Sequence, residues 1–312
     1  MPGGEFDWIA RLLRPLTRGA PEALDLLDDA AILPSRPGFD LVITKDALVA
    51  GVHFLPDDPL DLVARKLLRV NLSDLAAKGA EPFGYFLATA WPTGASWDDK
   101  ALFASGLAAD GETYGLSLLG GDTVSTPGPL TVTATLLGWV PSGRAILRGG
   151  ARPGDRLAVS GAIGDGYLGL KAARAEIDAP ALADRYRLPT PRVDLIEGLR
   201  VVARAAADVS DGLLADAGHI ATASGCGVRI QLDRLPLSRE ARAWFERQPD
   251  AAKALVSLAS GGDDYQIVCA LAPDADIPAG MTEIGAFVAG RGISATCHGE
   301  TLRLDRLGWT HG

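Results

Sequence analysis

The chain has little cysteine and histidine, and neither is spaced as in a disulfide framework or a zinc site. Its three cysteines, Cys226, Cys269 and Cys297, lie far apart without a C-x-x-C pair, and its four histidines show no H-x-x-x-H spacing. An odd number of dispersed cysteines is typical of proteins kept in a reducing compartment. The sequence therefore predicts buried free thiols and a cytoplasmic protein.

Segments that direct a chain to export, to a membrane or to nucleic acid are also missing. Residues 1–5 show no basic region followed by an apolar one, which argues against a secretory signal. Apolar runs stay far below the roughly 20 residues that a membrane-spanning helix needs. The formal net charge is -9 without a basic stripe, so neither a membrane nor nucleic acid is an expected partner.

Two common phosphate-binding motifs are absent as well. The chain contains no G-x-x-x-x-G-K-[ST] loop and no strand-linked G-x-G-x-x-G. P-loop and Rossmann phosphate binding are therefore excluded. If this chain is an enzyme that uses ATP, it must hold the phosphates largely through metal ions.

Aspartate is what the chain has in excess. It accounts for 29 of the 39 acidic residues, and several Asp stand where an apolar run stops and a Gly or Ser begins. Solubility charge alone predicts scattered Asp and Glu alike, so it explains the net charge better than these positions. Mg2+ prefers oxygen ligands, keeps few of them from protein and shares the rest with phosphates. The pattern favours a protein that holds metal-bound phosphate.

Hydrophobic patterning divides the chain into two mixed halves. Short apolar runs predict strands at Ala30–Leu33, Leu116–Leu119 and Arg156–Ser160. Helical spacing predicts helices over Pro59–Lys78, with Gly79 at the C-cap position, and over Arg192–Ala206. A turn-rich, basic connection separates the two halves. We therefore predict an α/β (α+β) protein with two domains, residues 1–142 and 143–312.

Two Asp-rich motifs in opposite halves are the strongest candidates for a site. Gly120–Thr123 (Gly-Gly-Asp-Thr) offers glycines for the close approach of an anion and an Asp for its metal. Asp208–Gly212 (Asp-Val-Ser-Asp-Gly) sets two carboxylates around a hydroxyl before a predicted helix, whose N-terminus favours phosphate. A plain turn with a capping Asp stays open for the first motif, and Ser210 or Asp211 as an ordinary helix cap for the second.

Other candidates are weaker one by one. Asp28–Asp29 and Asp46 border two neighbouring predicted strands and are expected to meet at one end of a sheet. Asp74 lies late in a predicted helix, where a solvated carboxylate is the ordinary alternative. His53 is as readily a packed or capping residue as a ligand, and Arg148 either neutralises phosphate or is solvated.

Taken in order, these motifs resemble the thiamine-monophosphate kinase family over essentially the whole chain. Each is weak alone, but the ordered series is highly specific. The series runs Gly4–Phe6, Asp28–Ala31, Leu48–Phe54, Val70–Ala77, Gly120–Thr123, Asp208–Leu213 and Ser260–Tyr265. The family belongs to a superfamily with aminoimidazole ribonucleotide synthetase, selenophosphate synthetase and hydrogenase maturation enzymes.

The resemblance implies a two-domain aminoimidazole ribonucleotide synthetase-like fold, whose N-terminal sheet pairs across a homodimer and whose C-terminal domain is α/β. It implies transfer of a phosphoryl group from ATP to thiamine monophosphate with several Mg2+ ions. The implied metal ligands are Asp28, Asp29, Thr44, Asp46, Asp74, Asp122, Asp208 and Asp211. Gly121, Arg148 and Ser210 are implied to contact ATP, and His53, Asp263 and Trp309 to contact thiamine phosphate. The implied catalytic residues are Asp122, Asp208 and Arg148.

Three positions depart from the family pattern. Asp25–Leu27 stands where glycines often precede the Asp pair, so a different turn geometry is open there. Lys45 replaces a common Thr before the strand Asp, and its ammonium is expected to replace one metal charge or to contact phosphate. Asp263 stands where Glu is usual and is one methylene shorter.

Two other functions stay open at this point. One is another ATP-dependent synthetase of the superfamily, although a selenophosphate synthetase is expected to carry a reactive Cys near its N-terminus and the first here is Cys226. The other is a non-catalytic nucleotide-binding sensor, although a sensor is expected to lose some of the metal carboxylates. Because the acceptor phosphate is already ionised, the kinase reaction needs little general-base catalysis, and direct in-line transfer is expected.

Overall fold

The computed structural model describes residues 4–310, which divide into two compact units. The first unit contains residues up to 75 together with 80–143, and the second contains 76–79 together with 144 onwards. Each unit has a sheet of its own. Among the described residues, no helix combines the length and the apolar character that crossing a membrane requires.

The first unit contains a four-stranded sheet and two long helices. Its elements are α1 (Glu5–Trp8), β1 (Phe39–Val49), α2 (Leu60–Ala77), β2 (Glu81–Pro92), α3 (Trp97–Tyr114), β3 (Ser117–Thr126) and β4 (Thr131–Pro141). The strand order is β1-β4-β2-β3, and every neighbouring pair is antiparallel except the parallel β2–β3 pair. The two strands that carry sequence motifs, β1 and β3, are therefore the two edges of the sheet.

Helix α2 forms because an almost continuous apolar surface is available for burial. Leu67, Leu68, Leu72 and Leu75 are fully buried, and burial extends around the helix to polar side chains. Gly79 (φ +70°) ends it in the left-handed conformation, as the sequence predicts. Helix α2 thereby carries its late residues into the interior of the protein instead of into solvent.

The second unit contains a seven-stranded sheet with helices. Its elements are β5 (Arg156–Ser160), α4 (Asp165–Ala173), α5 (Pro180–Arg187), α6 (Ile196–Val202), β6 (Ala203–Asp208), α7 (Leu213–Ala223), β7 (Gly227–Gln231), α8 (Arg239–Phe245), α9 (Ala251–Ala259), β8 (Ile267–Leu271), β9 (Met281–Val288), β10 (Gly292–Cys297) and β11 (Glu300–Thr301). The strand order is β11-β10-β7-β9-β5-β8-β6. The predicted α/β (α+β) class is confirmed.

Three predictions of local structure are wrong. Ala30–Leu33 is irregular instead of a strand, and Ile32 is exposed. Gly120–Thr123 does not end a strand, because the pairing of β3 with β2 continues through it. The second half of Arg192–Ala206 is strand β6, whose alanines are buried beside β8. Short apolar runs do not distinguish a buried helix from a buried strand, which explains the last error.

Candidate functional site

A cavity of about 510 Å³ at the β3 edge brings four predicted residues together. Asp28, Asp29, Gly121 and Asp122 line it, beside apolar side chains of the N-terminal turns and of β2. One oxygen of Asp28 accepts the Asp29 N–H at 2.8 Å, and one oxygen of Asp122 accepts the Thr123 N–H at 2.9 Å. Three exposed carboxylates at one cavity provide the oxygen ligands that a hard cation prefers.

Position 121 requires glycine because β3 packs closely against β2 there, and not because the backbone turns. A Cβ at this position would lie 1.9 Å from the Leu87 carbonyl oxygen, so only glycine lets β3 lie against β2 here. The plain-turn interpretation of Gly120–Thr123 is therefore wrong. Asp122 is carried on a paired strand, which fixes its backbone at the cavity.

The turn before the Asp28–Asp29 pair has the geometry that glycine favours, although the sequence there lacks glycine. Leu24, Asp25 and Leu26 have φ of 48°, 56° and 54°, in the left-handed region. The Arg14 side chain donates from Nε to the Asp25 carbonyl oxygen at 3.0 Å. The turn before the Asp pair is thus left-handed even though Asp25–Leu27 stands where the family often has glycines.

A second acidic group joins β1 to α2. The Thr44 hydroxyl donates to Oδ2 of Asp74 at 2.5 Å, and Asp46 lies two residues along β1, on the same face as Thr44. Burial raises the pKa of Asp46 to about 7, and the charge of Asp74 adds to that rise. Asp74 is therefore not the solvated helical carboxylate of the ordinary alternative. Two nearby carboxylates in a half-buried setting disfavour each other's ionised form, and a bound cation would offset that repulsion.

The Lys45 side chain leaves β1 on the opposite face. Successive side chains of a strand alternate, and Lys45 is exposed while its neighbours Thr44 and Asp46 are half-buried. The ammonium thus does not stand among the β1–α2 carboxylates.

The two acidic groups lie at opposite edges of one sheet. Asp46 and Gly121 occupy the same row, which runs through Ala134 of β4 and Leu87 of β2. Three strand spacings separate them, or roughly 14 Å. The prediction that Asp28–Asp29 and Asp46 border two neighbouring strands is wrong, because residues 30–33 form no strand and Asp28–Asp29 lie at the cavity of the β3 edge.

His53 is held in a tight turn after β1. Its Nδ1 accepts the Val49 N–H at 3.1 Å, and its carbonyl oxygen accepts a hydrogen bond from Lys66 Nζ at 3.1 Å. Lys66 is only 2% exposed. Because Nδ1 accepts, the neutral ring carries its proton on Nε2, which is then the donor of the ring. Sequence reasoning missed Lys66, since nothing in its helical spacing reveals which carbonyl it reaches.

In the second unit, the Asp208–Gly212 loop connects β6 to α7. Asp208 is buried at the end of β6, and Gly212, at the N-cap position just before α7, has φ +126°. Neither Ser210 nor Asp211 caps the helix. Instead Oδ2 of Asp216 accepts the N–H groups of Asp211 and Gly212, at 3.2 and 3.1 Å. The helix-cap alternative is therefore wrong.

Asp216 and His219 are site candidates that the sequence reasoning missed. Ligand atoms of Asp211, Asp216 and His219 lie within 4.8 Å of one another. Burial raises the pKa of Asp216 to about 7, the Asp211 charge adds to it, and the guanidinium of the exposed Arg148 opposes it. Arg148 is thereby placed near this loop. The signal was spacing: Asp216 and His219 lie three apart on one face of α7.

Asp263 is tied to the same loop. Its N–H donates to the Ser210 carbonyl oxygen at 2.8 Å, and its carboxylate accepts from the Tyr265 hydroxyl at 3.0 Å. Asp263 and Tyr265 both adopt positive φ, 60° and 49°, which is uncommon for residues with side chains. Next to it, buried Asp264 accepts the N–H groups of Gly164 and Gly166 at 2.8 and 2.9 Å.

Trp309 lines a cavity of about 660 Å³ in the second unit. The same cavity is lined by Tyr167, Ser260, Gly261 and Arg306. The indole is half exposed, and the backbone N–H of Trp309 donates to the Asp211 carbonyl oxygen at 2.8 Å. The structure thus brings Asp208, Ser210, Asp211, Asp263 and Trp309 around one loop.

Both halves of the chain match models of known domains. Residues 27–140 match "AIR synthase related protein, N-terminal domain", and residues 152–297 match "AIR synthase related protein, C-terminal domain". The thiamine-monophosphate kinase of Caulobacter vibrioides is 63% identical over all of this chain and 92% of its own length.

Solved structures give the same result. The thiamine-monophosphate kinase of Stenotrophomonas maltophilia K279a superposes with a TM-score of 0.81 at 36% identity, covering 93% of this chain and 95% of that one. The structure described as AaThiL complexed with AMPPCP and TMP has a TM-score of 0.81 at 31% identity, covering 99% of this chain and 97% of that one. The chain belongs to the thiamine-monophosphate kinase family.

Proposed function

We propose that the protein transfers the γ-phosphoryl group of ATP to thiamine monophosphate, giving thiamine diphosphate and ADP. The observation that carries the proposal is the convergence of Asp28, Asp29, Gly121 and Asp122 on one cavity. Carboxylates beside a closely packed glycine backbone are the environment that a metal-bound triphosphate requires when no P-loop exists. The choice of thiamine monophosphate as the phosphoryl acceptor rests on membership of the thiamine-monophosphate kinase family.

Mg2+ is assigned to two groups of carboxylates in the first unit and to one in the second. The ligands are Asp28, Asp29 and Asp122 at the cavity, Thr44, Asp46 and Asp74 at the β1–α2 contact, and Asp208 and Asp211 in the second unit. The donors are all oxygen atoms, as Mg2+ prefers. Burial, and to a smaller extent the charge of Asp74, raises the pKa of Asp46, and a bound cation would favour its ionised form. When bound, Mg2+ neutralises phosphate charge that otherwise keeps two anions apart.

The polar side chains orient the two anions for in-line transfer. Arg148 and Ser210 donate hydrogen bonds to the phosphates of ATP, and Arg148 offsets part of their charge. His53 donates from Nε2 to thiamine monophosphate. An ionised phosphate oxygen of that substrate forms a bond to the γ-phosphorus of ATP as the bond to ADP breaks. The attacking oxygen carries no proton, so no side chain has to remove one.

A homodimer is part of the proposal. Edge strand β1 presents Leu41 and Ile43 on the face opposite Thr44 and Asp46, and Ile43 is 60% exposed. Apolar side chains on an edge strand favour pairing with a second copy. A cytoplasmic location stays a prediction of the sequence.

The experiment is an incubation with ATP and Mg2+, with and without thiamine monophosphate, followed by identification of the products by mass. We expect equal amounts of ADP and thiamine diphosphate, and only when the acceptor is present. Phosphate release without the acceptor would indicate a phosphatase. ATP binding without turnover would indicate a sensor, and a different product would indicate another synthetase of the superfamily.

Two variants serve as controls for that incubation. Asp122→Asn keeps the shape of the side chain but loses its charge, so turnover should fall at least about 100-fold while the thermal midpoint is unchanged. Asp274→Asn removes the charge of an exposed aspartate in the second unit and should leave turnover unchanged. Near-normal turnover of a folded Asp122→Asn protein would refute its assignment to the metal.

A further inference from the structure

The segment Arg306–Trp309, called the strap below, lies directly on the backbone of the Asp208–Gly212 loop. Besides the Trp309 hydrogen bond to the Asp211 carbonyl, Gly308 is buried against the loop. A Cβ at Gly308 would lie 2.6 Å from the Cβ of Ala215 and 2.7 Å from the Asp211 carbonyl oxygen. The strap therefore lies so close to Ala215 and to the Asp211 carbonyl that only glycine fits at position 308.

Arg306 holds the strap from its other side. Its Nε donates to the Gly308 carbonyl oxygen at 2.8 Å, and its guanidinium lies 5.5 Å from the centre of the Trp309 ring. One side chain thus fixes both the peptide before Trp309 and the indole itself. Upstream, Leu302 and Leu304 pack against the core of the second unit, so the strap begins from an anchored position.

The loop is tied in the same way to the other segment assigned to thiamine monophosphate. The carbonyls of Ser210 and Asp211 each accept one N–H, from Asp263 and from Trp309 respectively. The two residues that the family resemblance implies for thiamine monophosphate are therefore hydrogen-bonded to consecutive peptides of the loop that carries Asp208 and Asp211. A displacement of the strap must change the position of Trp309 relative to that loop.

We infer that Arg306 and Gly308 are positioning residues for thiamine monophosphate. They fix the position of the Trp309 indole relative to Asp211. They thereby also fix the distance between the surface on which the thiamine rings pack and the Asp208–Gly212 loop. This inference rests on the proposed function. It assigns no contact between Arg306 and the reacting atoms, and its effect is expected on substrate affinity rather than on the chemical step.

The test compares Arg306→Met with two other arginine variants. Arg306→Met keeps the apolar stem but loses the Nε donor and the charge over the indole, so KM for thiamine monophosphate should rise about tenfold, with kcat and KM for ATP within about twofold. The Kd of thiamine monophosphate without nucleotide or metal, measured by calorimetry, should rise equally. Arg303→Met removes a charge from the same cavity, and Arg291→Met removes an exposed charge outside it.

A glycine variant tests the packing independently. Gly308→Ala should raise the same Kd more than Arg306→Met does, while Gly198→Ala, where a Cβ meets nothing within 4 Å, should leave it unchanged. If Gly308→Ala does not fold, Arg306→Met still decides the question.

The outcomes separate this inference from the proposed function. Wild-type protein that neither binds nor phosphorylates thiamine monophosphate would overturn the proposed function. Active wild-type protein whose Arg306→Met variant keeps the wild-type KM and Kd would overturn the inference alone. An equal rise in Arg303→Met would attribute the effect to charge and also overturn it.

Discussion

The hydroxyl of Thr44 donates to the carboxylate of Asp74 at 2.5 Å and so joins the edge strand β1 to helix α2. Asp46 lies next to this contact, where burial and the charge of Asp74 raise its pKa to about 7. Thr44 thus donates a hydrogen bond to Asp74, and in the proposed function its hydroxyl oxygen is also a ligand of Mg2+.

Replacing Thr44 by Val tests that role. The side chain keeps its shape but loses the donor and the ligand oxygen, so the Mg2+ concentration for half-maximal activity should rise about tenfold. The measurement is a Mg2+ titration of turnover at saturating substrates. Thr133→Val, on β4 of the same sheet, is the matched control and should behave as wild type. An unchanged Mg2+ requirement in a folded Thr44→Val protein would contradict the assignment.

Lys45→Thr restores the residue that the family commonly has before the strand Asp. Because the Lys45 side chain is exposed and leaves β1 on the face opposite Thr44 and Asp46, its charge is not part of the group. Turnover and its Mg2+ dependence should stay within about twofold of wild type, measured by the same titration. A tenfold change in the Mg2+ requirement would show that the ammonium does act at the metals.

The local sequence pattern was sufficient to predict a helix or strand where a single signal, such as apolar periodicity or a terminal glycine, dominates. The apolar surface and terminal glycine of α2 and the short buried strand β5 follow from the sequence alone. The separation of Asp46 from Asp28–Asp29 does not, because it depends on the order β1-β4-β2-β3, which no local pattern encodes. Whether a run such as Arg192–Ala206 changes from helix to strand is likewise decided by the neighbouring strand.

The candidate site shows the same division. Carboxylates in turn-rich motifs were identifiable because Asp beside Gly or Ser is a local signal. The hydrogen bonds of Lys66 and Asp264 were not, since Lys66 reaches a carbonyl 13 residues away and Asp264 accepts an N–H 100 residues away along the chain. Their partners became visible only with the fold.

Lys66→Met tests whether the buried ammonium positions His53. Loss of the hydrogen bond from Nζ to the His53 carbonyl oxygen frees the turn after β1, so KM for thiamine monophosphate should rise about tenfold and KM for ATP much less. Steady-state kinetics of Lys66→Met, His53→Ala and the double variant form a mutant cycle. If Lys66 acts through His53, the double variant should match His53→Ala. Additive effects would assign Lys66 a separate role.

Asp264 should make the stability of the protein depend on pH. Burial raises its pKa to about 8, although the N–H groups of Gly164 and Gly166 favour its ionised form. Between about pH 4 and pH 8 the folded protein therefore holds a proton that the unfolded chain has released. Since the native state binds more protons, the free energy of unfolding falls as pH rises through this window and levels off above it.

The comparison of wild type with Asp264→Asn isolates this contribution, because the asparagine cannot titrate and other groups are shared. Thermal midpoints measured at pH 5, 6.5 and 8.5 should show wild type losing on the order of 5 °C relative to the variant between the first and last values. The sign matters, because a carboxylate stabilised as an anion by its two N–H donors would lose stability toward acid instead. Parallel pH curves for the two proteins would show that Asp264 keeps an ordinary pKa in the folded state.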